Sequence, residues 1–314
     1  MGTFIARRLI TLVVQVLLVA TIVFLMLRLV PGDPARGILG ETASDEQVAA
    51  MQHRLGIDRP LWKQYTEWLG NTLQLDLGKS LISGRSISSD IAIRITRSLE
   101  LIVISVILSL IVAIPLGTIA ALRANRLADF LLSSLAMLGL SIPGFVIGTI
   151  FVLLFGLVWK VLPQSQYVSW TDDPIAHMKL LILPSLTLAI GNAAVILRMM
   201  RSSMLEVLRQ DYVRTARAKG LTETAVIRGH TVRNAINPVV SIVGLECATL
   251  LGGMVIVEQI FNWPGLSSLL LSGVLSRDYP VVQGVVLVIA VLTIVINVIV
   301  DILYGVLDPR IRLS

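Results

Sequence analysis

The sequence predicts an all-α integral membrane protein with six transmembrane helices. Composition is the first reason: 55% of the 314 residues are hydrophobic and only 15% charged. The second is grouping, because the apolar residues gather into six runs, each near the roughly 20 residues that cross a bilayer core as a helix. The third is charge, because Lys and Arg concentrate in alternate connections between runs, the pattern expected of cytoplasmic loops. A mean hydropathy of +0.84 agrees. The net charge of +6 does not point to nucleic acid, since aromatic residues are few and topology accounts for where the charge sits. The single cysteine, Cys247, falls inside an apolar run and reads as a small buried core residue.

Residues 1–30 form a cytoplasmic N-terminus and first transmembrane helix. Arg7 and Arg8 precede the apolar run 9–27, which exceeds a signal-peptide core and ends without a small-x-small cleavage site. Arg28, at its far end, is placed to snorkel to the interface. Residues 31–98 are an extracytoplasmic region with short helices. Ser44-Asp45-Glu46-Gln47 is a capping box, opening a helix that ends near Leu55-Gly56. Pro60 suits the first position of a second helix, on which Leu61, Trp62, Tyr65, Trp68 and Leu69 recur at helical spacing. That stripe lies either along the membrane interface or against the bundle. Leu77-Gly78-Lys79-Ser80 imitates the end of a phosphate-binding loop, but Leu73 stands where the motif needs glycine and no strand precedes it. The chain is therefore expected not to hydrolyse ATP itself.

Residues 99–306 hold the other five runs, at 99–122, 131–158, 180–200, 239–260 and 281–303. An even number of spans puts both termini on one side. Arg123 and Arg126, the seven basic residues from Arg201 to Arg233, and Arg310 with Arg312 in the cytoplasmic tail 307–314 all fall on the N-terminal side. Pro115, Pro143-Gly144 and Pro184 interrupt or edge three spans, freeing backbone groups that need other partners. Glu246, deep in the fifth span, is a costly residue there and belongs to a translocation path or a structural contact. Asn192 in the fourth span is either path-lining or interhelical glue. Asn297 and Asp301, four apart and near Tyr304, form a bracket in the last span. The three histidines, His53, His177 and His230, fall in connecting loops without metal-binding spacing, and there is no nucleophile elbow. The chain reads as a non-enzyme without a metal.

The informative connection is 201–237. Residues 204–219 can form one helix with Lys219 in its last turn and Gly220 at the C-cap, after which Thr222 caps a second helix with Glu223 in its first turn. Val213, Ala216 and Gly220 form a small-residue strip that another protein surface can approach closely, with Arg214, Arg217 and Lys219 around it. A basic loop lying on anionic headgroups is the other reading. The glycine break, the strip and the lack of an energy-binding motif argue for docking onto a separate motor.

The segment Tyr212-Val213-Arg214-Thr215-Ala216-Arg217-Ala218-Lys219-Gly220, continuing through His230, Arg233-Asn234-Ala235 and Pro238, resembles the coupling loop of permease subunits of binding-protein-dependent ABC importers, the dipeptide, oligopeptide and nickel class in particular. The likeness extends over Arg7-Arg8, Pro31-Gly32-Asp33-Pro34, Leu55-Gly56-Ile57-Asp58-Arg59-Pro60, Asp76 to Ser80, Phe261-Asn262-Trp263-Pro264-Gly265-Leu266, Arg277-Asp278-Tyr279-Pro280 and Asp308-Pro309-Arg310-Ile311-Arg312. The resemblance implies the type I ABC importer permease fold with a cytoplasmic coupling helix. Tyr212, Val213, Arg214, Ala216, Arg217, Lys219 and Gly220 would engage the ATPases. It also implies a second homologous permease subunit, two cytoplasmic ATPase subunits that bind ATP and magnesium, and an extracytoplasmic substrate-binding protein, all at a bacterial inner membrane. The long first extracytoplasmic loop marks the first permease of the pair. Of the general coupling-loop pattern only Ala216 and Gly220 remain; Ser267 replaces a usual glycine, and Glu246 stands where many relatives carry a neutral amide. Di- or oligopeptides are the implied cargo, with nickel chelates, glutathione and oligosaccharides handled by similar proteins. A stand-alone secondary transporter and an assembly scaffold are the readings from other classes.

Overall fold

A backbone in hydrocarbon must satisfy its own N–H and C=O groups, so the apolar runs fold as helices. The computed structural model describes residues 2–29, 34–40, 42–161 and 167–307. Pro31-Gly32-Asp33 and the tail 308–314 lie outside the described residues. In chain order the helices are α1 (Gly2–Leu29), α2 (Pro34–Leu39), α3 (Asp45–Leu55), α4 (Leu61–Leu73), α5 (Ile87–Leu122), α6 (Leu127–Ser141) and α7 (Gly144–Phe151), then α8 (Pro174–Leu208), α9 (Asp211–Ala218), α10 (Glu223–Ala225), α11 (Arg233–Gly253), α12 (Val255–Ile260), α13 (Leu266–Leu275) and α14 (Tyr279–Leu307). Two π-helical stretches, Val152–Val158 and Val226–Val232, follow α7 and α10.

Five helical stretches are long and apolar enough to cross a membrane, and α6 with α7 and its π-helical extension forms a pair bent by 94° that makes a sixth when taken as one span. The run 131–158 is thus not the single helix expected. Its break falls at Ile142, held extended (φ −89, ψ 119) ahead of Pro143, because a proline ring disfavours the helical conformation for the residue before it. Pro115 and Pro184, by contrast, are carried inside continuous helices. The run 239–260 also divides, between α11 and α12. His53 and His177 belong to α3 and α8, and His230 to the second π-helical stretch, not to loops, because these elements begin earlier or run longer than their apolar cores.

The chain divides into two compact units: Met1–Ile5, Leu99–Trp263 and Ile296–Ser314 form one, Ala6–Ser98 and Pro264–Val295 the other. In the second, the expected capping box of α3 is present, with Ser44 accepting from Gln47 N and the Gln47 side chain accepting from Ser44 N, and Gly56 takes the left-handed conformation after it. Pro60 is the residue before α4, one position earlier than expected. Tyr65 and Trp68 pack on Phe24 of α1 at ring-centroid distances of 5.2 and 5.5 Å. The phosphate-loop imitation has a structural role. Ser80 is buried and donates to Asp278 Oδ2 at 2.5 Å, while Leu81 N donates to Asp278 Oδ1 at 3.2 Å. Ile87 and Ile91 of α5, Leu266 and Leu269 of α13, and Val281 and Val285 of α14 make this unit's core.

In the first unit, α8 is the hub. Its 35 residues extend about 52 Å at 1.5 Å per residue, well beyond the ~30 Å hydrocarbon core. Asp173 caps it, accepting from Ile175 N and Ala176 N. Ile196, Leu197, Met200 and Met204 of α8 pack against Ala113 of α5, Ala136 of α6, and Ala235 and Val239 of α11. Small residues let the helices come close, as in other membrane bundles. A Cβ on Gly117 would stand 2.8 Å from Leu197 O, and one on Gly244 would fall 2.3 Å from Val300. Ser109 donates across to Ala189 O at 3.1 Å.

Candidate functional site

The expected docking segment is present, but its helix is shorter and turned differently. Instead of one helix over 204–219, α8 ends at Leu208 and Gln210, extended at φ −72 and ψ 146, starts α9. The turn lets α9 fold back on its own subunit. Val213 is fully buried and Ala216 nearly so, both packed with Val226, and with Val207 beside them. Val213 and Ala216 therefore face inward, correcting the expectation that they receive a partner, whereas Gly220, the third member of the small-residue strip, stays exposed. The outward face consists of Tyr212, Arg214, Arg217, Lys219 and Gly220, with Leu221 after them, all exposed. An eight-residue helix is too short to persist alone in water. Burial of Val213 and Ala216 is what holds it.

The far end of α9 is stapled as well. Gly220 sits at φ +79, in the left-handed region, with nothing among the described residues within 4 Å of where a Cβ would stand. Across this turn Arg217 makes a two-pronged pair with Glu223, Nε to Oε2 at 3.0 Å and Nη2 to Oε1 at 2.6 Å. That hydrogen bonding raises the pKa of the Arg217 guanidinium. Thr222 caps α10 as expected, its hydroxyl accepting from Ala225 N. Arg214 makes only a loose contact with Asp211, at 3.6 Å, with both side chains exposed. Arg217 is therefore already paired, while Tyr212, Arg214 and Lys219 present donors and a ring outward. Glu223 was legible as a first-turn acid but not as the partner of Arg217, which lies across the glycine.

Nearer the bundle, Arg201 of α8 donates to Asp129 of α6 through Nε at 2.5 Å and Nη2 at 2.8 Å. Asp129 also accepts from Asn125 N at 2.9 Å. One of the basic residues of the 201–237 connection is thus neutralised within the unit. Asn192 is buried in α8, and its Nδ2 has no hydrogen-bond partner among the described residues. Glu246 is only half-buried on α11. The more enclosed acid is Glu258 of α12, fully buried, which sequence reading passed over although it lies in the same apolar run. Asn297 is exposed, and the side chains of Asp301 and Tyr304 lie outside the described residues.

At the other end of this unit, His177 is fully buried in an aromatic box. Trp170 tilts over it at 4.7 Å between centroids, and Tyr167 and Trp263 meet it edge-on at 5.6 and 5.5 Å. Its Nδ1 lies 2.7 Å from Val168 O and its Nε2 2.8 Å from Glu100 Oε1, and Trp170 Nε1 donates to the same carboxylate. Rings and hydrogen bonds together tie the start of α8 to the start of the second span and the Asn262-Trp263 turn.

The short helix α9 thus packs against the end of α8 and the π-helical stretch that leads into α11. Residues 113–313 match the family described as binding-protein-dependent transport system inner membrane component, and residues 1–83 match its N-terminal region. The chain belongs to this family. It is a permease subunit of an ABC importer with the type I fold, spanning the inner membrane several times. The permease is 42% identical over 312 residues to the glutathione transport system permease protein GsiC of Salmonella paratyphi A, covering 99% of both chains. It is 40% identical over 312 residues to the protein of the same name from Escherichia coli K12, again over 99% of each. Family membership sets aside the stand-alone secondary transporter and the scaffold.

Proposed function

We propose that this chain is the first of two permeases in an importer of short peptides, with glutathione-sized tripeptides as the preferred cargo and both termini in the cytoplasm. The observation that carries the cargo is the 42% identity to a glutathione transport permease along 99% of both chains. The basic residues of the 201–237 connection carry the orientation. Two partner ATPases hold ATP and magnesium, and an extracytoplasmic binding protein delivers the peptide. A groove on one ATPase grips the outward face of α9, through Tyr212, Arg214, Lys219 and the open position over Gly220. Val213 and Ala216 pass the movement on to Val207 and Val226, which continue into α8 and through the π-helical stretch into α11. A push on α9 thereby tilts the two spans on either side of the connection. Glu246 and Asn192 are proposed to line the path on those same two spans.

The test is uptake by inverted and right-side-out vesicles carrying the whole transporter, using radiolabelled glutathione, a dipeptide and a nickel chelate. ATP- and binding-protein-dependent accumulation of glutathione, displaced best by other short peptides, is expected. Preferred accumulation of the nickel chelate would overturn the cargo, and uptake independent of ATP would overturn the mechanism.

A further inference from the structure

We propose that α4 is a membrane-interface helix whose free apolar edge, Leu61, Trp62 and Leu73, lies among the lipids at the boundary between headgroups and acyl chains. The helix is two-faced: Leu61, Trp62, Tyr65, Trp68, Leu69 and Leu73 share one stripe, and Lys63, Gln64, Glu67 and Asn71 fall opposite. Only part of the stripe is used within the chain. Tyr65 and Trp68 close over Phe24, whereas Leu61, Trp62 and Leu73 remain 56%, 69% and 74% exposed.

Depth identifies what covers them. The Tyr65 hydroxyl is 2.7 Å from Thr21 Oγ1, and Arg28 donates to Gln64 Oε1 at 3.1 Å while its guanidinium sits 4.2 Å from the Phe24 ring centroid. These contacts fix α4 to the last two turns of α1. The apolar span of α1 runs Arg7–Met26, so Thr21 lies five residues inside its end, which is about 7.5 Å at 1.5 Å per residue. Helices that lie in the interface bury their apolar face about 5–10 Å into the same boundary. The neighbouring surface of α1 agrees, since Leu18, Ile22, Leu25 and Met26 are exposed along its outer turns. Trp62 is of the residue type favoured at that level. Arg59 and Glu67, paired at 2.8 Å, sit at the polar side. Which leaflet this is rests on the orientation proposed above; the depth does not.

The experiment uses the whole transporter in lipid nanodiscs with Cys247→Ser as background. Spin labels are placed one at a time by Trp62→Cys, Leu73→Cys, Lys63→Cys and Glu67→Cys, and collision rates with oxygen and with a water-soluble nickel chelate are compared. Labels at 62 and 73 are expected to favour oxygen severalfold over nickel, and labels at 63 and 67 the reverse. Nickel-favouring collisions at 73 would place this edge in water and overturn the proposal. So would shielding of 73 from both reagents, which would mean a protein partner covers it. If Trp62→Cys fails to assemble, Leu73→Cys and Leu61→Cys decide the outcome alone.

Discussion

Gly220 separates two roles that a coupling turn can have. At φ +79 it occupies a conformation that costs an L-residue about 1–2 kcal/mol, and one that asparagine tolerates better than most. Among the described residues an added Cβ meets nothing within 4 Å, so there is no clash to add to that strain. Gly220→Ala should therefore lower local stability by about 1–2 kcal/mol, and Gly220→Asn by less. Both variants should insert and assemble. If an ATPase surface closes over this position, Gly220→Asn nevertheless obstructs it. The expected result is ATP-driven uptake reduced by about tenfold or more, equivalent to ~1.4 kcal/mol of lost engagement, with membrane abundance unchanged. The assay is uptake per transporter in vesicles, alongside ATPase turnover in the same preparation. Wild-type uptake by Gly220→Asn would refute a partner at this position and leave the glycine as a turn residue only. Loss of the variant from the membrane would refute the open space.

Three further outcomes follow from contacts within each unit. Arg217→Ala removes an exposed pair with Glu223, worth under about 1 kcal/mol to the subunit; a double-mutant cycle with Glu223→Ala, read as uptake, should show the two effects largely shared, and full additivity would mean that Arg217 works through another partner. Gly117→Ala drives a Cβ to 2.8 Å from a backbone oxygen and should cost about 1–3 kcal/mol through overpacking. This would appear as a lower unfolding temperature in detergent, while Gly191→Ala, with nothing within 4 Å, should leave that temperature unchanged or higher. Asp278→Ala strands the Ser80 hydroxyl and Leu81 N, at a cost of about 1.5–3 kcal/mol; faster proteolysis between residues 74 and 86 is the expected readout, and an unchanged cleavage pattern would contradict the bracket.

Much of the architecture was legible because its signals are local. A capping box, a glycine after the last turn and a run of apolar residues each act within one or two turns or across one bilayer thickness. Hence Ser44, Gly56 and Thr222 stand where the sequence placed them, whereas Lys219 takes the C-cap position of α9 and Gly220 follows it. The break at Pro143 was visible as a proline, but nothing local distinguished it from Pro115 and Pro184, which their helices absorb.

By itself, then, the sequence determined the order of the apolar runs, the caps of α3 and α10, and the segment that carries the coupling motif. Only the tertiary structure decided which way that segment faces. Val213 and Ala216 turn inward because Val226 and Val207 need covering, and the same small-residue spacing serves equally for a partner or for the subunit's own core. The structure likewise decided that Ser80 serves Asp278, 198 residues away, that Arg201 is held by Asp129, and that Glu258 lies deeper than Glu246. The physical reason is common to all four. A side chain's spacing along a helix reports which neighbours share its face, whereas its partner is set by contacts between segments whose separation along the chain carries no periodic signal.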